Sequence, residues 1–352
     1  MLTLDTIREL AAECGFELAG VAPALPVPDG ALYADWVRRG LAGEMRYLTD
    51  HRADVRQDPR HLLASVRSII SVGKYYGGPE PKTREFDEAG RAWIARYAWG
   101  EDYHDVMRRR LEALAARLVD RVGAFEWRAC VDTAPILERS YARQAGLGWI
   151  GKNTCLINEE RGSWFFLGEL LTSLDLMAGE PAADRCGTCT RCIEACPTRA
   201  IVPRDDRWEL DARLCISYFT IELRSDVPEA SQAAVGKHVF GCDICQDVCP
   251  WNERATRGEV NDAAPEFRPR TFAPPLAEMA ALTEEQFRAL FRGTPVTRAK
   301  HAGFLRNVAI AMGNAADAAM LPMLERLAEH ENPMVARHAR QAIARLTHLI
   351  EA

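Results

Sequence analysis

Apolar positions in the first half of the chain switch repeatedly between helical and strand spacing. Leu4, Ile7, Leu10, Ala11 and Cys14 recur at three- and four-residue intervals and stop at Gly15, which predicts an amphipathic helix; Glu17 to Val21 then reads as a short strand. Arg67 to Val72 is β-rich and predicts a second strand, and Val106 to Val122 keeps the spacing of a long amphipathic helix. Phe125 to Val131 predicts a strand that ends at Asp132, helix follows from about Pro135 to Ala145, and Trp164 to Leu171 is apolar enough for a buried strand. The alternation lacks the regular beat of a doubly wound parallel sheet, so it predicts an α+β fold or a mixed sheet.

The last part of the chain, from about Leu282, is patterned as helix throughout. Leu305, Val308, Ala309 and Met312 form one apolar stripe stopped by Gly313; Val335, Ala339, Ala342, Ile343 and Leu346 form another, with Asn332 and Pro333 as N-cap and first helical residue. Two helix pairs of this kind resemble HEAT-type repeats, which stack by burying one face each. Pro265 to Pro275 is proline-rich and reads as a linker. The predicted organisation is therefore an α/β domain over 1–175, a cysteine-rich domain over 176–255 and an all-α HEAT-like domain over 278–352.

The middle segment carries the chemistry. Eight of eleven cysteines lie between Cys186 and Pro250. Cys186, Cys189, Cys192, Cys196 and Pro197 spell C-x2-C-x2-C-x3-C-P, and Cys242, Cys245, Cys249 and Pro250 repeat its second half. With Cys215 the thiols number eight, which is what two [4Fe-4S] clusters require. In bacterial two-cluster ferredoxins the close triplet grips one cluster and the cysteine before proline crosses to the other. On that pattern Cys186, Cys189, Cys192 and Cys249 hold one cluster, while Cys196, Cys215, Cys242 and Cys245 hold the second. Two zinc sites would also consume eight cysteines, and a disulfide knot is the other plain alternative. The packing of three thiols at C-x2-C-x2-C followed by Cys-Pro is unusual for zinc. Cys14, Cys130 and Cys155 are left over and read as small core residues.

Composition changes the picture in two ways. With a net charge of −6 the 352-residue chain is not a general nucleic-acid binder, so any such role needs a local basic patch. One exists on paper: Arg288, Arg292, Arg298, Lys300 and Arg306 fall between Gln286 and Ala316 with no acid among them. The alternative is a solvated helical face. The first residues show neither a basic region before an apolar core nor a twin arginine, and no apolar run approaches the length of a membrane span. The expectation is a cytoplasmic protein with no membrane partner, in a reducing compartment that keeps thiols for clusters.

Gly146, Gly148 and Gly151 match G-x-G-x-x-G, but the fingerprint of a dinucleotide site must follow a strand and open a helix. These glycines follow a predicted helix, so they read as its end. Asp102, Tyr103 and His104 invite a metal or cobalamin reading; the D-x-H-x-x-G element is not met, since position 107 is Met. A lone histidine is more often a hydrogen-bonding residue than a ligand.

The cysteine motifs, the segment RYAWGEDYH from Arg96 to His104, the segment VDTAPILERSYARQAGLGWIGKNT from Val131 to Thr154, and the basic helical tail follow in an order that resembles the epoxyqueuosine reductase family over nearly the full length. The resemblance implies a cobalamin- and iron-sulfur-dependent enzyme that reduces the epoxide on a tRNA wobble base to an alkene. It further implies a catalytic domain related to that of reductive dehalogenases, and HEAT-like repeats that help hold tRNA. Respiratory reductive dehalogenases are the nearest rival, but usually carry a twin-arginine signal; a ferredoxin module with a helical docking domain is the other.

Epoxide reduction needs two electrons and a proton for the leaving oxygen, with the cofactor doing the hard step. Asp132 matches the family's proton donor, a role that requires burial to raise its pKa; without the resemblance it reads as the cap of the helix beginning near Pro135. The absent lower histidine implies cobalamin bound base-off. Arg56, Tyr97, Lys152, Asn153, Ser217 and Asp243, together with Asp132, are its expected contacts. Arg298, Lys300 and Arg306 are the expected tRNA contacts. A small electron-donor protein of flavodoxin or ferredoxin type and a monomeric state complete the expectation. The interval of 19 between Cys196 and Cys215 is slightly long for the family and bears only on the loop between them.

Overall fold

The computed structural model describes residues 2–86, 88, 90–255 and 264–351. Its frame is a four-stranded sheet built from β1 (Leu18–Pro23), β2 (Ser68–Tyr75), β3 (Trp127–Cys130) and β4 (Phe165–Thr172), in the order β1-β2-β4-β3. Every pairing is antiparallel, which makes the fold α+β. All eight residues of β2 are buried, as expected of a strand flanked on both sides and covered on both faces. One face, with Ile70, Val72 and Leu170, packs on α1 (Leu4–Glu13) and α2 (Tyr103–Val122) through Ile7, Ala11, Met107, Leu111 and Leu114. The opposite face, with Ile69, Leu171 and Cys130, packs on α3 (Glu138–Gln144) through Tyr141 and Ala142. Burying each large side chain stabilises the fold by about 1.5–3 kcal/mol.

The periodicity located these elements to within a few residues. The exception is α3, which starts at Glu138 rather than near Pro135, with Leu137 at the N-cap position and no side-chain cap. Asp132 therefore caps no helix. Gly146, with φ +82, turns the chain after α3 by donating to Arg143 O, so the glycine run does end a helix.

The cysteine segment is mostly short turns. A helix follows the second Cys-Pro, over Pro250–Ala255, but not the first. After Cys196 the Sγ accepts the Ala200 N–H at 3.3 Å and Arg199 adopts φ +53, turning the chain into the hairpin Ile201–Arg204 and Arg207–Leu210. That hairpin occupies the long interval before Cys215.

Toward the C-terminus, α4 (Lys300–Gly313), α5 (Leu321–Ala328) and α6 (Pro333–Glu351) pack together, with Gly313 close against Ala342. Asn332 Oδ1 accepts the Met334 N–H at 3.0 Å, capping α6 as its sequence predicts. The core of these helices also contains Trp93, Trp99 and Phe240, so they are built onto the rest of the molecule. The expected linker is likewise packed down: Phe267 and Ala273 are buried, Ala92 N donates to Pro274 O and Glu101 N to Glu266 O. The strap opens with a 3-10 turn at Pro265–Phe267, and its apolar side chains supply the anchor that composition alone did not reveal.

Candidate active site and cluster-binding loops

At the C-terminal end of β3, Asp132 adopts φ +40, a left-handed conformation uncommon for a residue with a Cβ. Its Oδ2 lies 3.0 Å from His104 Nε2, while His104 Nδ1 lies 2.7 Å from Asp102 Oδ1. Asp102 also caps α2, accepting the His104 N–H at 3.0 Å. Both imidazole nitrogens therefore face carboxylate oxygens, and only the imidazolium can donate to both. Burial disfavours that charge, but Asp102 and Asp132 outweigh it and raise the His104 pKa to about 9.

Asp132 responds in the opposite sense. Burial pushes its carboxyl up, yet the hydrogen bond and charge of His104 outweigh burial and hold it below the usual range. Near neutral pH a proton is therefore favoured on His104, between the two carboxylates, more than burial favours one on Asp132 alone. The Asp132 carboxyl is 41% exposed on its open side. Its other side is crowded by His104, by Tyr103, whose ring stacks on His104 and on Phe166, and by Glu138, whose Oε2 accepts the Asp132 N–H at 3.3 Å. Tyr97 is near enough for the Asp132 charge to add to burial in raising its hydroxyl well above the usual range.

Burial raises the Cys192 thiol to about 11, helped by the negative charge of Cys249, Cys186 and Cys189. Burial likewise raises Cys242, helped by Cys215 and Cys196, and Cys245 feels both Cys242 and Cys215. Among the described residues no three His, Cys, Asp or Glu side chains converge as tightly as a single metal ion requires. Cys155, read from sequence as a core residue, lies in hydrogen-bond contact with Cys245. Trp149 Nε1 lies 3.4 Å from Cys186 Sγ.

A relative from Xanthomonas campestris, an epoxyqueuosine reductase, is 42% identical over 344 residues, which are 96% of this chain and 94% of that protein. The chain belongs to the epoxyqueuosine reductase family. The epoxyqueuosine reductase of Pseudomonas aeruginosa is 38% identical over 97% of this chain and 94% of its own. Two family models match, "Epoxyqueuosine reductase QueG, DUF1730" over residues 56–133 and "4Fe-4S double cluster binding domain" over 185–252. A solved epoxyqueuosine reductase bound to an epoxyqueuosine-modified tRNA-Tyr stem loop superposes with a TM-score of 0.85 at 27% identity, covering 97% of this chain and 89% of that one. Another, from Bacillus subtilis, has its catalytic aspartate loop swung out of the active site; it superposes at 0.84 with 27% identity over 97% and 90% of the two chains. The protein is accordingly an oxidoreductase of the epoxyqueuosine reductase family with a double-cluster iron-sulfur domain.

Within this family member, the residues expected to touch a cofactor divide by location. Arg56 is buried, donating to Tyr47 O at 2.9 Å and to Arg52 O at 3.2 Å, and so fixes the segment carrying Tyr47. Lys152 Nζ donates to Gly187 O at 2.7 Å and Cys189 O at 3.0 Å, bracing the first cysteine loop. Asn153 Nδ2 reaches Cys245 O at 3.4 Å, and its Oδ1 accepts the Cys155 N–H at 3.2 Å. Ser217 hydrogen-bonds the Cys215 thiol, whose pKa burial raises and Ser217 lowers. Asp243 is buried and its Oδ2 accepts from Arg96 N–H at 2.8 Å and Trp93 Nε1 at 3.2 Å, tying the second cysteine loop to the residues before α2.

The basic run needs correction. Arg306 is 1% exposed and cannot reach a phosphate: it donates to the carbonyls of Leu223, Ser225 and Phe219. Arg298 pairs with Glu222 at 2.6 Å, lies over the Tyr47 ring and acts electrostatically on Asp132. Arg288 pairs with Glu284. Acids outside the run thus neutralise much of it, which a local charge count misses; Lys300 stays exposed. No described helix is long and apolar enough to cross a membrane. Of the side chains around Asp132, His104 was legible as a hydrogen-bonding residue, whereas nothing in the sequence distinguished Glu138.

Proposed function

We propose that the chain reduces epoxyqueuosine to queuosine at the tRNA wobble position, with the His104–Asp132 pair delivering a proton to the epoxide oxygen. The observation that carries this reading is the 3.0 Å contact between His104 Nε2 and Asp132 Oδ2, in an imidazole whose other nitrogen is held by Asp102. A proton held there near neutral pH is available to a developing alkoxide. The relative with a movable catalytic aspartate loop supports giving that role to Asp132, which stands in a loop with a strained backbone.

Cys186, Cys189, Cys192 and Cys249 hold one [4Fe-4S] cluster, and Cys196, Cys215, Cys242 and Cys245 the other. Cobalamin, when bound, supplies a low-potential nucleophilic metal centre. The chain suits such a group: Arg139 beside Glu138 donates to Thr154 O, and the next residue, Cys155, meets Cys245, so a short run of residues links the proton-bearing end to the second four thiols. His104, with both nitrogens committed to Asp102 and Asp132, would serve the proton rather than the cofactor. Arg56, Tyr97, Lys152, Asn153, Ser217 and Asp243 would hold the group, largely by fixing the loops they brace.

The relative bound to a modified stem loop supports tRNA as substrate. Lys300, at the start of α4, is the proposed phosphate contact, on helices read as HEAT-like. A flavodoxin- or ferredoxin-type protein would supply electrons. Asp132→Asn tests the reading: turnover of epoxyqueuosine-containing tRNA should fall by about 10²- to 10⁴-fold with cluster and cobalamin spectra retained. Wild-type turnover in that variant would refute it.

A further inference from the structure

Reduction of an epoxide to an alkene consumes two electrons and two protons. Both carbon–oxygen bonds break, the electrons delivered by a low-potential one-electron donor end in the new carbon–carbon π bond, and the oxygen leaves as water carrying both protons. The His104–Asp132 pair stores one. The site therefore needs a second source, and the structure holds a candidate directly behind Asp132.

Glu138, at the first turn of α3, accepts the Asp132 N–H at 3.3 Å, so its carboxyl is anchored to the residue it would serve. Behind it, on the central strand β4, Glu169 is 0% exposed and neither of its carboxyl oxygens has a hydrogen-bond partner. Its strand neighbours are Ser71, whose Oγ is also buried without a partner, and the buried Cys130. A carboxylate in that setting would be strongly disfavoured, so Glu169 is a neutral acid. We propose that Glu138, backed by the neutral acid Glu169, supplies the second proton of epoxide reduction by recharging Asp132 after its first transfer. The proposal rests on the epoxide-reducing function argued above; Glu138 is a positioning residue that acts through Asp132.

The groups facing Glu138 are Asp132, His104 and Tyr103 on the active-site side, Arg139 on its own helix, and Cys130 and Glu169 on the sheet. Burial, and then the negative charge of Asp132, raise the Glu138 carboxyl to about 7, against the opposing pull of Arg139 and His104. A general acid works in its protonated form, so the contribution of Glu138 is present below pH 7 and is lost as pH rises through that value.

The test uses the reconstituted holoenzyme and an epoxyqueuosine-containing stem loop. Wild-type turnover should fall in two steps with rising pH, one near 7 from Glu138 and one near 9 from the His104–Asp132 pair. Glu138→Gln keeps an oxygen to accept the Asp132 N–H but holds no transferable proton. It should turn over about 10²-fold more slowly than wild type at pH 6, approach it at pH 8, and lack only the lower step. Glu138→Asp should restore part of that step. In the infrared difference spectrum of the protein without substrate, the protonated-carboxyl band that titrates near pH 7, to which Asp247 also contributes, should lose one carboxyl's intensity in Glu138→Gln and keep it in Glu169→Gln. A Glu138→Gln profile identical to wild type, or loss of that intensity in Glu169→Gln instead, would overturn the assignment. Absence of any epoxide reduction by the wild-type holoenzyme would fail the functional reading itself, a different result from either.

Discussion

Replacing His104 by glutamine removes the imidazolium while keeping a polar side chain of similar reach, and its effect can be worked from the geometry. Moving a histidine from 6.5 to about 9 corresponds to about 3 kcal/mol of preference for the charged form, before the 41% exposure of the Asp132 carboxyl screens part of it. Because the folded-state pKa is raised, that stabilisation is fully present below pH 6.5 and is lost as pH rises through about 9. In catalysis the same proton is the acid, so the upper limb of the wild-type pH–rate profile should sit near 9. In His104→Gln the Asp132 carboxyl loses the partner that chiefly holds its proton site, and the limb should drop into the carboxylic-acid range. At pH 8 the variant should lose about 10²- to 10⁴-fold in single-turnover rate, recovering as pH is lowered. The assay is the rate of epoxide loss from a modified stem loop across pH, under pre-reduced anaerobic conditions. An upper limb that stays near 9 in His104→Gln would show that His104 does not hold the proton.

Other expectations follow from the same coordinates. Cys215→Ala should reduce iron from about eight to about four atoms per chain, since one cubane loses a thiolate and the other keeps all four; unchanged iron would remove Cys215 from the ligand set. Arg306→Ala should lower the melting temperature without a specific effect on tRNA affinity, because three carbonyls lose a charged donor and each such bond is worth about 1.5–3 kcal/mol. Equal stability would contradict its buried role. Lys300→Ala should leave stability unchanged and flatten the dependence of log K on log salt by about 0.7–0.9, measured by titrating stem loop into protein; an unchanged slope would remove Lys300 from the interface.

Much of the architecture was readable because it depends on local patterns. The strands at Ser68–Tyr75 and Phe165–Thr172 and the helix at Tyr103–Val122 follow from apolar spacing, and the cysteine fours follow from a spacing that few other groups tolerate. What the sequence concealed depends on partners distant in the chain. Arg306 and Arg298 look like a free basic run until the carbonyls of 219–225 and the carboxylate of Glu222 are brought against them. The strap at 265–275 looks like a linker until Phe267 meets the sheet core. Asp132 was identified by family resemblance, but the store of its proton was not: that needed His104, 28 residues earlier, folded between two carboxylates. Glu169 is invisible in the same way, since one acid in FFLGELLT gives no sign of lying unpartnered inside a sheet.

The most direct test of the account is the mass of the wobble nucleoside after anaerobic incubation of epoxyqueuosine-containing tRNA with the reconstituted protein, cobalamin and a low-potential reductant. The account predicts loss of one oxygen atom with wild-type protein, and little or no loss with Asp132→Asn or Cys215→Ala. An unchanged nucleoside mass with fully loaded wild-type protein would contradict it.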